Sequence, residues 1–174
     1  YQEFQELVKA VDAYIKDGTA GSVILNGNSY DIAAEKTELT AKLNGVISIA
    51  AAEKWTYGNH FSNYPLNTVF DSFNAVKNAT DEQVESLRGP IEKSIRDIEF
   101  LSNYAAGPNG PLSRSSEFIN STSTGYDQAV QTFADGKALF IKQGNWIYPN
   151  VEKVAPEVAK NLTILPMKLS FAQE

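Results

Sequence analysis

Gly125-Tyr-Asp-Gln-Ala-Val-Gln-Thr-Phe-Ala-Asp-Gly136, Lys137-Ala-Leu-Phe-Ile-Lys-Gln143 and Gly144-Asn-Trp-Ile-Tyr-Pro-Asn150 follow one another directly, and Asn161-Leu-Thr-Ile-Leu-Pro-Met-Lys168 comes soon after. In the first piece Tyr126, Ala129, Val130 and Phe133 recur at helical spacing, and Gly136 stands where a helix end takes a left-handed residue. Ala138 to Ile141 is a short apolar run between turn residues, which suits a buried strand. Gly144-Asn145 then turns the chain into a second helix beginning near Trp146. Leu162 to Leu165 is expected to be another strand, in the same sheet, stopped by Pro166. Helix, strand, turn, helix, strand is an α/β unit, and it sets Trp146 beyond the carboxyl end of a strand. Ligands of α/β sheets collect in such crevices. A large aromatic there is a platform for a molecule with an apolar face and a polar rim.

Working back toward the start, Phe4, Leu7, Val8, Val11, Tyr14 and Ile15 form one apolar stripe, which predicts a helix ending at Gly18. Ser22 to Ile32 reads as a β-hairpin around Asn26-Gly27. Ala33 to Leu43 reads as a helix, and Val46 to Ile49 as a short buried strand. Directly after that strand comes Trp55-Thr-Tyr-Gly-Asn-His-Phe-Ser-Asn-Tyr-Pro-Leu-Asn67, dense in aromatics and side-chain amides. Helical spacing resumes at Leu66, Val69, Phe70 and Phe73. Thr80-Asp-Glu-Gln83 is a capping box. Behind it Val84, Leu87, Ile91, Ile95, Ile98 and Leu101 read as a core-packing stripe, interrupted at Gly89-Pro90. Glu85, Lys93, Arg96 and Asp97 read as its solvated face. Gly107 to Pro111 is a loop, Ser113 to Thr124 is rich in Ser and Thr, and Thr124 can cap the helix that follows.

Composition narrows the function classes. At 174 residues, 43% hydrophobic and 11% aromatic, the chain can bury a real core. A net charge of −6 argues against nucleic acid, whose phosphates need a basic face. With no Cys there is no disulfide scaffold and no thiol nucleophile. No apolar run reaches membrane-spanning length. His60 is the one histidine, a poor metal candidate without Cys or a carboxylate pair beside it, so no metal and no cofactor is expected. No Gly-x-Ser-x-Gly elbow, phosphate-binding loop or dinucleotide fingerprint occurs.

The ordered set Phe133-x-x-Gly136-Lys137-Ala138, Gly144-Asn145-Trp146 and Leu165-Pro166-Met167 resembles bacterial extracellular solute-binding proteins of family 1, the sugar-binding group, over roughly residues 55–168. That resemblance implies a helix-rich α/β fold, one lobe of a periplasmic-binding-protein-like (type II) two-lobe architecture. Family members are longer, so residues 1–174 are expected to be a single, incomplete ligand-binding lobe, with an insertion at about 19–45. It further implies a monomeric, non-enzymatic component of an ABC importer, closing on a sugar or oligosaccharide and docking on membrane permease subunits. The expected location is extracytoplasmic, in the periplasm or as a cell-surface lipoprotein of a Gram-positive bacterium. A carbohydrate-active enzyme and a non-transport sugar sensor are the alternatives.

For the site, the resemblance points to Trp146 as the main stacking residue and to Tyr126 at the start of its helix. Trp55 is the third aromatic, with Asn59, His60, Asn63 and Asn145 as polar neighbours, all on one concave face. Each aromatic has a plainer reading. Trp55 can fill the core with Tyr57 and Phe61, Tyr126 can pack under its own helix, and Trp146 can share an apolar face with Ile147 and Tyr148.

Overall fold

The computed structural model describes residues 1–32, 34–112 and 124–166. The expectations that fall on Ala33, on 113–123, and on Met167 and Lys168 lie outside the described residues. Helix α1 (Gln2–Asp17) ends at Gly18 with φ 65°. Its Val8, Val11 and Tyr14 are buried, with Phe4, Leu7 and Ile15 packed beside them. Strands β1 (Gly21–Leu25) and β2 (Asn28–Ile32) form the expected antiparallel hairpin. Its turn has positive φ at both Asn26 and Gly27, 52° and 77°, the geometry that matches strand twist and that Asn-Gly supplies.

The main sheet has four strands in the order β5-β4-β3-β6. At its centre β3 (Gly45–Ile49) is buried along its whole length. It pairs in parallel with β4 (Ala105–Ala106) on one side and with β6 (Ala138–Lys142) on the other. β5 (Pro111–Leu112) folds back antiparallel on β4 across the Gly107–Gly110 turn, a pairing too short to read from the sequence. Between β3 and β4 the chain runs through α2 (Trp55–Tyr57), a π-helical turn (Gly58–Ser62), α3 (Asn63–Asn67), α4 (Phe73–Lys77), α5 (Asp81–Ser86) and α6 (Arg88–Asn103). Ahead of β6 lies α7 (Tyr126–Ala134); after it come a 3-10 turn (Asn145–Ile147), α8 (Tyr148–Val154) and α9 (Pro156–Lys160).

Helices cover both faces of β3, as a buried parallel strand requires. On one face Val8 and Val11 of α1 and Leu101 of α6 pack with Ile47, Ile49 and Phe61. Full burial of such side chains contributes about 1.5–3 kcal/mol each. On the other face Ser48 donates to the Ala129 carbonyl of α7 at 2.8 Å. There Val130, Ile147, Val151 and Ala159 form a second cluster. The fold is α/β with helix outweighing strand, 55% against 16%, and α7-β6-turn-α8 is the unit expected from the sequence.

Six local expectations are corrected. Leu162–Leu165 forms no strand: Leu162 still bonds the Ala159 carbonyl, and Ile164 and Leu165 stay 65% and 61% exposed. A parallel strand is held by a ladder and by cover on both faces, and this run has neither. Of the helix expected over Ala33–Leu43, only Thr40–Lys42 is helical among the described residues, as a 3-10 turn. Thr37 and Thr40 trade hydroxyl bonds with each other's backbone N–H, at 2.9 and 3.2 Å, and so offer the chain an alternative to the helix. The helix expected from Leu66 begins at Trp55 instead and stops at Asn67, before Ser72 caps α4. The stripe behind the capping box is buried only at Leu87 and Leu101; Val84, Ile91 and Ile95 are exposed, and Ile98 packs half-buried against the core. Its Asp97 is buried rather than solvated, accepting a 2.5 Å bond from the Tyr1 hydroxyl. Gly125, not Thr124, is the N-cap of α7, and no side chain caps it. The Thr80–Gln83 capping box is present, and α5 and α6 abut at Leu87.

Candidate functional site

The chain leaves β3 toward β4 and leaves β6 through α8, so the outgoing connections of these two neighbouring strands diverge. The crevice beyond their carboxyl ends is a topological switch point. Each connection carries an indole into it. After β3, the Thr56 hydroxyl bonds the carbonyls of Ala50 at 2.7 Å and Glu53 at 2.8 Å, fixing the start of α2 and with it Trp55. After β6, the Ile147 N–H bonds the Gly144 carbonyl at 3.1 Å, and buried Ile147 anchors the 3-10 turn that presents Trp146. The Trp146 ring folds back over Gly144, where a Cβ would collide with it.

Lys142 fastens the two connections together. Its ammonium donates to the Thr56 carbonyl and lies 5.1 and 5.0 Å from the ring centres of Tyr57 and Phe61. Burial lowers its pKa to about 8. Burial also pushes the Tyr57 phenol up to about 12.

The result is a strip of four rings. Tyr126, the first residue of α7, stacks on Trp55 with centroids 5.9 Å apart and planes 29° apart. Trp55 meets Trp146 at 6.2 Å and 46°. His60 stacks on Trp146 at 6.0 Å and 30°. The π-helical turn carries His60, and such bulges re-aim side chains at functional sites. Trp55 and Trp146 remain 40% and 45% exposed, which is large for indoles in mutual contact. Trp55 is therefore not enclosed by the helix it starts; Phe61 takes the core position. Tyr126 does both things, stacking on Trp55 while packing against the Val130–Val151 cluster.

Polar groups edge the strip. His60 has its Nδ1 buried with no hydrogen-bond partner among the described residues, and so has one carboxylate oxygen of Glu53, two residues before Trp55. The His60 pKa is lowered, by burial first and then by Lys142. Asn150 donates to the Tyr126 hydroxyl at 3.2 Å and to the Trp146 carbonyl at 3.1 Å, locking both to α8. Asn59 and Asn63 are exposed, and the Asn63 amide is spent on the Asn59 carbonyl at 2.6 Å, within its own helix. Asn145 is exposed on the turn before Trp146.

Thus Trp55, Tyr126, Trp146 and His60 come together, while Asn63 is turned to its own backbone. Glu53, Lys142 and Asn150 were not anticipated. Lys142 had a signal: it shares a strand face with Phe140, so an apolar face ends in an ammonium. Asn150 had a weaker one, four residues past Trp146 on the same helical face. The face is open, and none of its four rings lines the cavity beside β6 or the one between α3 and α6. Among the described residues no group of His, Asp and Glu could hold a metal ion, and no helix is long and apolar enough to cross a membrane. The chain matches no known protein family, no characterised protein and no solved structure.

Proposed function

We propose that this chain is one lobe of a type II, two-lobe extracytoplasmic solute-binding protein that takes a sugar or oligosaccharide on the four-ring strip and delivers it to ABC permease subunits. The observation that carries the reading is the strip itself, with two half-exposed indoles at a switch point of an α/β sheet. Exposed stacked rings cost hydration free energy unless a ligand covers them, and a pyranose offers an apolar C–H face of the right kind. The exposed Asn59 and Asn145 side chains would meet hydroxyls at the ligand's rim. Each such bond contributes about 0.5–1.5 kcal/mol net, so several contacts rather than one would set affinity. The protein would act as a monomer and without catalysis.

Calorimetry on the full-length protein against mono- and oligosaccharides tests this. Trp146→Ala is expected to weaken binding by about 1–3 kcal/mol while leaving the melting temperature nearly unchanged, because its indole is anchored on few core groups. Absence of any saccharide binding, or a large stability loss with affinity intact, would reject the reading.

A further inference from the structure

Asn26-Gly27 and Asn44-Gly45 are the same dipeptide in two opposite settings. Asn44 is half-buried: its side-chain amide donates to the Gly107 carbonyl at 3.1 Å, and its own N–H donates to the Lys137 carbonyl at 2.9 Å. Gly45 is buried at the start of β3, where a Cβ would stand 2.7 Å from the backbone of Ala106. Asn26 and Gly27 form the exposed tip of the β1–β2 hairpin. No hydrogen bond holds the Asn26 carboxamide among the described residues, and nothing lies within 4 Å of a Cβ placed on Gly27. Only the Asn26 backbone is tied. Its N–H donates to the Glu3 carboxylate of α1 at 3.0 Å, and its carbonyl accepts from the Asn28 side chain at 3.4 Å.

We propose that Asn26 is a self-modification site, at which the Gly27 backbone nitrogen attacks the Asn26 carboxamide and converts the residue to aspartate and isoaspartate. The nitrogen bonds to Asn26 Cγ while the bond from Cγ to the side-chain nitrogen breaks. The proton of the Gly27 amide leaves with that nitrogen, as ammonia. Water then opens the cyclic imide. Opening at the side-chain carbonyl gives aspartate, and opening at the backbone carbonyl gives isoaspartate, whose chain runs on through Cγ. Glycine leaves the attacking nitrogen unshielded, and a solvated loop tip departs from its native angles at little cost. Asn44 is kept from the same reaction, because its carboxamide is held and Gly45 is pressed on Ala106. Either product places a carboxylate on the residue whose N–H bonds Glu3, so like charges meet where α1 holds the hairpin. Isoaspartate also lengthens the turn backbone and disturbs the Leu25↔Asn28 register. The modification therefore loosens the hairpin from α1, and no residue of the ring strip takes part in it.

The full chain, aged in mildly alkaline buffer with and without urea, tests this by mass-spectrometric peptide mapping. Isoaspartate is read by labelling with protein isoaspartate methyltransferase. In the folded chain residue 26 is expected to convert at least about tenfold faster than residue 44, and in urea the two should agree within about threefold. Amide exchange along β1 and β2 should then be about tenfold faster in the aged chain than in the fresh one. Asn26→Gly keeps a turn of the same type and has no carboxamide, so its hairpin should exchange alike before and after ageing. The mapping uses the unaltered chain and decides the matter even if that variant does not fold. The proposal is overturned if residue 26 keeps its amide, if residue 44 converts as fast in the folded chain, or if aged Asn26→Gly loosens as much.

Discussion

Ala138–Ile141 and Leu162–Leu165 are short apolar runs, each preceded by a helix and each ended by turn residues. The first is most of β6, paired along β3 from Gly45↔Ala138 to Ile49↔Lys142. The second pairs with nothing among the described strands, and its Ile164 and Leu165 face outward. The runs differ in their neighbours, not in their hydrophobicity. The first has β3 to bond and the α7–α8 layer to cover it. The second comes off α9 beside a sheet edge with a cavity between. Site formation follows the same division, because the paired run delivers Lys142 to Thr56 and so holds the two indoles together.

If pairing with β3 is what makes a strand of the first run, weakening β3 should be the most damaging change. Ile47 is 2% exposed and opposite Phe140 in the ladder. Ile47→Ala should cost about 2–5 kcal/mol, from lost transfer energy and the cavity left behind, read by urea unfolding. A loss under about 1 kcal/mol would mean that β6 does not depend on this packing.

The next effect isolates the end of β6. Lys142 has its pKa lowered to about 8 by burial, so from there up to the ordinary lysine value the unfolded chain binds more protons than the folded one. Stability should therefore rise with pH in that window, by up to about 1.4 kcal/mol per unit, and the burden of the buried charge is fully present below it. Above pH ~10 the buried phenols act oppositely: the Tyr57 pKa is raised, so the unfolded chain ionises first and stability falls. The comparison belongs between about pH 8 and 9.5 for that reason. Lys142→Met should flatten the slope there. An unchanged slope would assign the titration to another group.

Much of this architecture was legible. The Gly18 and Gly136 stops, the Asn26-Gly27 hairpin, the Thr80 capping box and the strand at Val46 rest on local chemistry, which acts without knowledge of the rest of the fold. Trp55 and Trp146 each follow a strand of one sheet, which brings them to a common edge, whereas nothing local places Tyr126 against Trp55. What was lost depends on tertiary partners. Asp97 looks like one more charge on a helix until Tyr1, 96 residues away in sequence, bonds to it. Thr37 and Thr40 look helical until their hydroxyls are placed. His60 reaches Trp146 only because a π-helical turn shifts its position around the helix axis, and no periodicity announces that turn.

The smallest expected effect is the sharpest test of the opening contrast. An unpaired, exposed isoleucine contributes little to stability, since its side chain is in water before and after unfolding. Ile164→Ala should therefore change the unfolding free energy by no more than about 0.5 kcal/mol, against several for Ile47→Ala, although both remove the same atoms from an apolar run. Measured side by side in the same urea series, the two values report the neighbours and not the residue type. A loss above about 1 kcal/mol at Ile164 would mean that the run is docked in solution, against the edge of β6 or across the cavity beside it. Amide hydrogen exchange at Thr163 and Ile164 then separates those two outcomes, because ladder bonds to β6 would protect both N–H groups while packing over the cavity would leave them exchanging freely.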